Sequence, residues 1–415
     1  MERRALLSMA GAAAVLTALE PGRLFAQDVA AGLKPMTGDL KPIERAEYLA
    51  RIDRARALMG KYGVGALLIE PGASLVYFTG VQWWRSERLT AAVLPRDGDI
   101  AIVTPHFEEP SVRESLMVPA EVRVWNENEE PLGTVSGILR DRKVSGPIAV
   151  EETVRFFAVD ALRRAMPGVE IRNGAAVVRG CRMIKSAAEL ALMQKAADIT
   201  IAAYRHVAPR IARGMSPKDI GAMMDAAHAA LGGTPEFALI LLGEASAYPH
   251  GSGKPQAVRD REVVLMDCGC TVEGYQSDIS RTFVFGEATA EQRRVWQQMR
   301  DGQQVAIETA RVGLAAGRVD DAVRAQYVKW GYGPGYKLPG LSHRTGHGIG
   351  LDGHEPVNLV QGEQTPLAPG MCFSDEPGLY LPGKFGIRLE DCFHMGAVKP
   401  IWFSTPPPSL DKPFG

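Results

Sequence analysis

Acidic side chains close the apolar runs in the second half of this chain. Val263-Val264-Leu265-Met266 ends on Asp267, Met371-Cys372-Phe373 leads to Glu376, and Gly386-Ile387-Arg388-Leu389 leads to Glu390. Asp278 follows Asp267 inside Ser277-Asp278-Ile279-Ser280, and His347 stands in Gly346-His347-Gly348-Ile349-Gly350. A turn at Glu273-Gly274 would fold 263–270 and 275–285 into an antiparallel pair, with Asp267 and Asp278 at neighbouring positions on one face. The glycines around His347 would allow close backbone approach to a site. A fold that gathers four carboxylates and an imidazole meets severe desolvation and mutual repulsion. Two divalent cations remove that cost, because their charge matches that of the four carboxylates. Oxygen-rich ligation with one imidazole suits manganese, iron(II), cobalt or zinc, with manganese the expected ion. Such a pair would hold a water and lower its pKa towards neutrality, which makes it a nucleophile for an amide carbonyl.

The 415 residues allow two or three domains. Residues 40–180 alternate between helix and strand patterns, as in an α/β domain. A helical stretch runs from Glu44 to Tyr62, and 65–70 is an apolar run of strand length. Strand-like runs 91–95 and 100–105 flank the hairpin signal Arg96-Asp97-Gly98. Further strands are expected at 118–125 and 148–151, and a helix at 156–166. Residues 184–400 form the second unit. Ser186 and Glu189 have capping-box spacing ahead of a helix reaching about Ala212. Ser216-Pro217 opens another helix. Strands at 263–270 and 275–285 and helices at 290–312 and 320–330 follow, then a Gly- and Pro-rich stretch of short strands. The fold class is α/β, of the α+β kind in its second half.

Formal charge is −1, from 47 basic and 48 acidic residues. No basic excess is available for phosphate backbones, so nucleic acid is not an expected partner. Residues 1–26 have the form of a signal peptide: Arg3-Arg4, an apolar stretch from Ala5 to Leu19, and a small residue at Ala26. The adjacent arginines suggest the twin-arginine route, hence an exported and periplasmic protein. No later segment has the length of a membrane-spanning apolar run. Cys268 and Cys270 alternate with Asp267 along one strand, so they point away from it and read as small buried hydrophobes.

The strings SDISRTF, GHGIGLDGHEP, DEPGLYLPG and GIRLED resemble the signature blocks of the pita-bread-fold metallopeptidases, which include Xaa-Pro aminopeptidase, prolidase and the metal-free creatinase. The resemblance implies a pita-bread catalytic domain preceded by a creatinase-like N-terminal α/β domain. It implies Asp267, Asp278, His347, Glu376 and Glu390 as metal ligands, with Asp278 and Glu390 bridging. It also implies Glu376 as general base. The proline-cleaving branch adds His250 and His354, which would bind the scissile carbonyl and its oxyanion, and His343 and Arg388, which would sit near the proline ring and the polar ends of the substrate. In relatives of this kind, a loop such as Trp83-Trp84-Arg85 closes over a second subunit, which implies a homodimer.

The expected activity is therefore metal-dependent hydrolysis of the bond before proline, in dipeptides or at peptide N-termini. A dimethylsulfoniopropionate lyase of the same fold, which would abstract a proton next to a carboxylate, is the alternative. A creatinase-like C–N hydrolase or a non-catalytic binding module fits less well, because such relatives have lost ligands that this chain retains.

Overall fold

The computed structural model describes residues 29–414, so the expected leader over 1–26 lies outside the described residues. In the first half, β1 (Ala66–Ile69), β2 (Ala91–Pro95), β3 (Ile100–Pro105), β4 (Ala120–Trp125), β5 (Ile148–Val150) and β6 (Ile171–Asn173) form one sheet in the order β4-β3-β2-β1-β5-β6. The turn read at Arg96-Asp97-Gly98 joins β2 to β3 antiparallel, with Ala91 opposite Val103, while β1 pairs β5 in parallel. Both faces of this sheet are covered, which explains its unbroken apolar runs. Leu67 and Ile69 pack with Ile52, Ala55 and Met59 of α1 (Arg45–Tyr62). Ala66 and Leu68 pack on the other face with Leu132, Val135 and Ile138. The remaining helices of this half are α2 (Ala73–Thr79), α3 (Glu109–Ser115), α4 (Pro131–Asp141), α5 (Phe156–Ala165) and α6 (Ala175–Arg182).

The second half opens with α7 (Ala187–Val207), whose N-terminus carries the expected capping box: Glu189 N–H donates to Ser186 Oγ at 3.2 Å, and Ser186 N–H to Glu189 Oε2 at 2.8 Å. The helix stops five residues short of the expected Ala212. Pro209 cannot continue the hydrogen-bond ladder, and a 3-10 turn over Ala208–Arg210 follows. Ser216 caps α8 (Pro217–Ala230) in the same way. These two helices cover a sheet built from β7 (Thr234–Leu242), β8 (Val263–Val272), β9 (Tyr275–Gln276) and β10 (Ile279–Val284). After α9 (Ala290–Thr309) and α10 (Gly317–Lys329) comes a second sheet. It contains β11 (Gly346–Gly348), β12 (Glu355–Leu359), β13 (Cys372–Asp375), β16 (Asp391–Met395) and β17 (Pro400–Trp402), in the order β12-β11-β13-β16-β17. The hairpin β14 (Leu379–Leu381) with β15 (Phe385–Ile387) closes one side.

One expectation needs correcting because it bears on the site. The run 275–285 is two strands, not one. The ladder breaks at Ser277-Asp278, where Ser277 turns inward and its Oγ accepts from Cys270 N–H at 3.1 Å. The register runs on unchanged across this gap, so Asp278 keeps the alternation and lies on the same face as Ser280 and Asp267. The two halves of the chain are joined through charged groups. Arg51 donates to the Tyr275 hydroxyl at 3.0 Å, and that hydroxyl donates to Glu189 at 2.8 Å. Arg182, at the end of α6, donates to Asp352 at 2.7 Å and to Glu355 at 2.5 Å.

Candidate metal centre and substrate pocket

The five expected ligands come from both sheets of the second half. Asp267 lies on β8 opposite Ser280 of β10. Asp278 is two residues before Ser280, so the two aspartates are diagonal neighbours on one face rather than directly opposed. His347 is the central residue of β11, Glu376 follows β13, and Glu390 precedes β16. The glycines beside His347 serve the sheet rather than a ligand, which corrects the sequence expectation. A Cβ on Gly346 would lie 2.1 Å from the Ser374 carbonyl oxygen, and one on Gly348 2.5 Å from that of Glu355. Only with glycine at both positions can β11 fit between its two neighbours and hold the imidazole at this depth.

His347 Nε2 lies 3.5 Å from Glu376 Oε1, 3.6 Å from Asp278 Oδ2 and 3.9 Å from Glu390 Oε1. Three overlapping sets of donor atoms come together within 4.8 Å: Asp267, Asp278 and Glu390; His347, Glu376 and Glu390; and Asp278, His347 and His354. Burial, reinforced by Asp267, pushes the Asp278 carboxyl far above the usual carboxylate range. Burial and then Asp278 do the same to Glu390. Burial raises Glu376 to about 7, against the pull of Arg388. Asp267 Oδ1 and Glu390 Oε1 are buried without a hydrogen-bond partner among the described residues. Burial holds the His347 imidazole neutral, well below its ordinary pKa. Its Nδ1 lies 3.0 Å from the Gly348 carbonyl oxygen, so Nδ1–H donates there and the Nε2 lone pair faces the acids.

These observations fit divalent cations. The orphaned oxygens, the repelling carboxylates and the aimed lone pair are all groups that a cation satisfies at once, and the donor set of oxygens and one imidazole suits first-row metals.

All five residues line a cavity of about 330 Å³ together with His250, His343, Arg344, His354 and Arg388. His343 is engaged at both ring nitrogens, with the Arg344 carbonyl oxygen at 2.8 Å from Nδ1 and the Tyr380 hydroxyl at 2.8 Å from Nε2. Burial, with Arg388 adding to it, lowers its pKa to about 3. It therefore offers the pocket a ring wall rather than a polar atom. Arg388 is held at four points: Ser280 Oγ at 3.0 Å, the Pro249 carbonyl oxygen at 3.0 Å, Tyr380 Oη at 3.1 Å and Asp267 Oδ2 at 2.6 Å. The His354 ring lies 4.0 Å from that of His347, tilted by 54°, and its Nδ1 accepts from Arg344 at 3.1 Å. His250 is exposed at the rim. Sequence reading missed Arg344 and Tyr380. Arg344 had a signal, a cation between His343 and the glycine-flanked His347, but Tyr380 had none, because its partners come from distant segments. A larger cavity of about 570 Å³ is lined by Gln194, Asp198, Arg205 and Trp402, among others, and includes none of the five expected ligands. Cys268 and Cys270 are buried as expected.

Residues 191–397 match metallopeptidase family M24, and residues 51–184 match the creatinase/prolidase N-terminal domain. The chain is 33% identical over 349 residues to the probable dipeptidase PepE of Mycobacterium tuberculosis, covering 83% of this chain and 91% of that protein. It is 30% identical over 338 residues to the Xaa-Pro dipeptidase of Lactobacillus helveticus, covering 80% of this chain and 89% of the relative. Among solved structures, dipeptidase PepE from Mycobacterium ulcerans superposes with a TM-score of 0.81 at 31% identity, over 89% of this chain and 99% of the other. The prolidase from Thermococcus sibiricus gives 0.79 at 28% identity, over 86% and 97%. A creatinase-like domain in front of a pita-bread catalytic domain, with the five expected ligands grouped in one pocket, places this chain in metallopeptidase family M24.

Proposed function

We propose that this enzyme is a dinuclear metallopeptidase that hydrolyses the Xaa-Pro bond. The observation that carries the reading is the convergence of three carboxylates, Asp278, Glu376 and Glu390, on the neutral Nε2 of His347, with Asp267 grouped against Asp278 and Glu390, in a pocket of small-molecule size. The names of the relatives support the substrate class: two of those compared are an Xaa-Pro dipeptidase and a prolidase. Asp267, Asp278, His347, Glu376 and Glu390 would hold the cations, and manganese is the ion we propose. Bound divalent metal supplies Lewis-acid polarisation and a water of lowered pKa.

The remaining steps belong to the chain's own side chains. Glu376 lines the pocket with its carboxylate 3.5 Å from the His347 ring, where it is placed to accept a proton from the attacking water and return it to the leaving proline nitrogen. Because Arg344 donates to Nδ1 of His354, the ring proton of neutral His354 sits on Nε2. That N–H can donate to the carbonyl oxygen as charge develops on it. His250 at the rim is the second proposed donor. Arg388 and His343 form the wall with Tyr380 and set the width of the pocket.

Export to the periplasm is proposed from the leader alone. A homodimer is proposed with support from Trp84, which is 67% exposed and stacked on Trp83 at 4.8 Å between ring centroids. The test of function is metal analysis together with a panel of Xaa-Pro dipeptides and Xaa-Pro-Yaa peptides, assayed with manganese, cobalt and zinc after chelation. Proline release with two bound ions per chain supports the reading. Release of dimethyl sulfide from dimethylsulfoniopropionate without peptide cleavage would replace it.

A further inference from the structure

We infer that Thr200, buried on α7, is a positioning residue of the metal centre: by holding Ser277 inward it fixes the backbone that carries Asp278. The inference deepens the metallopeptidase reading above and rests on it. Asp278 sits in the gap between β9 and β10, where the ladder is incomplete. Ser277 N–H donates to the Cys270 carbonyl oxygen at 3.0 Å, but the return bond from Cys270 N–H goes to Ser277 Oγ at 3.1 Å. In a regular antiparallel pair that bond would go to the backbone carbonyl. The Ser277 carbonyl instead leans over Gly269, which faces Asp278 as the register runs on, and a Cβ on Gly269 would lie 2.2 Å from it. The path of the backbone into Asp278 therefore depends on where a side-chain oxygen is kept. On the far side, Cys392 Sγ lies 3.2 Å from the Asp278 carbonyl oxygen.

Thr200 keeps the Ser277 oxygen in place, and the proton count shows how. The hydroxyl of Ser277 has one proton, which goes to the Cys270 carbonyl oxygen at 3.2 Å. Ser277 Oγ must then accept in its 2.8 Å contact with Thr200 Oγ1, so Thr200 donates. Ser277 Oγ is a closer and stronger acceptor for that proton than Cys270 Sγ, 3.5 Å away. With the Thr200 proton used, the 3.2 Å contact with His228 Nε2 requires the ring, on α8, to donate. The other end of the chain gives the same answer. His228 Nδ1 is buried without a hydrogen-bond partner among the described residues, and a proton placed there would be an orphaned donor. Burial also lowers the ring pKa to about 4, so His228 is the neutral Nε2–H tautomer. Thr200, His228 and Ser277 are all buried, so bulk water does not compete for these protons.

The experiment titrates the chelated full chain with manganese by calorimetry and measures steady-state kinetics on Ala-Pro, in wild type, Thr200→Val and Thr200→Ser. Valine keeps the volume and loses the hydroxyl, whereas serine keeps the hydroxyl and loses the methyl group. Thr200→Val should weaken manganese binding by about 10-fold, the lower end of the cost of removing a group behind a metal ligand, and lower kcat with KM unchanged. Thr200→Ser should bind manganese as wild type does. A role in packing alone predicts the reverse order, because serine leaves a cavity. Wild-type affinity in Thr200→Val, or equal losses in both variants, overturns the inference while leaving Xaa-Pro cleavage standing. Nitrogen NMR of the histidine rings in the wild type, with the His228 signals assigned by their absence from His228→Gln, should show a protonated Nε2 and a bare Nδ1. A ring protonated on Nδ1 would turn the Thr200 proton away from Ser277 and overturn the inference as well. Manganese affinities in the expected order without cleavage of any Xaa-Pro bond would instead overturn the proposed substrate and support the role of Thr200.

Discussion

Arg388 Nη2 meets Asp267 Oδ2 at 2.6 Å, inside the pocket that holds the acid cluster. The same guanidinium binds the Tyr380 hydroxyl and the Pro249 carbonyl oxygen, so one side chain ties β8, the β14 hairpin and the His250 loop together. A lysine keeps the charge but cannot make this set of contacts. Arg388→Lys should lower kcat/KM for Ala-Pro by about 10- to 100-fold with bound metal retained. Steady-state kinetics alongside metal analysis checks this, and wild-type kinetics would refute it.

Asp278 and His354 share a donor cluster but have different expected roles. Asp278→Ala should abolish activity and lower bound metal, because it removes the carboxylate proposed to bridge the two cations. His354→Ala should keep the metal and cut kcat by about 10²–10³, as loss of one oxyanion donor does. Elemental analysis of both variants separates the roles. Metal loss in His354→Ala would make that residue a ligand.

Gly346 has no room for a side chain, since a Cβ would stand 2.1 Å from the Ser374 carbonyl oxygen. Gly346→Ala must push β11 away from β13 and carry His347 with it. A displacement near 1 Å is enough to cost about 10²-fold in rate. The variant should fold, bind metal more weakly and turn over at least that much more slowly. Metal titration followed by kinetics is the check, and unchanged metal affinity would count against this account of the glycines.

Glu355 anchors the seam between the halves through Lys185 and Arg182. Burial opposes its ionisation, yet the two cations prevail and hold its pKa at about 2, below the ordinary 4.5. An unfolded carboxylate takes up its proton first as the pH falls. The stabilisation is therefore complete above pH 4.5 and fades between 4.5 and 2. Glu355→Gln leaves buried Lys185 without its carboxylate while Arg182 keeps Asp352, and should cost about 3–5 kcal/mol at pH 7. Urea unfolding from pH 7 to 2 should show the gap to wild type closing below pH 4.5. A gap that stays constant with pH would show that Glu355 contributes no ionic term.

The local chemistry of the chain was readable from its residues. Ser186 and Ser216 announce their helices because a hydroxyl three residues before an acid caps orphaned N–H groups wherever it occurs. Asp267, Glu376 and Glu390 stood out because they close apolar runs, and a buried acid has to be neutralised in any fold; Asp278 and His347 joined them through the resemblance of their motifs. The gap in the strand at Ser277-Asp278 was not readable, because it goes with a hydrogen bond from Cys270 N–H to Ser277 Oγ, seven residues away in sequence and on another strand. The purpose of the glycines around His347 was likewise set by β12 and β13, whose carbonyls lie against them. β7 carries a weak alternation and is a strand because β8 pairs along it. The difference between Arg388 and Arg344 was the least legible of all. Two arginines look alike in sequence, and only the assembled pocket gives one of them four partners and leaves the other's fork free, because hydrogen-bond saturation depends on which distant segments the fold brings within 3 Å.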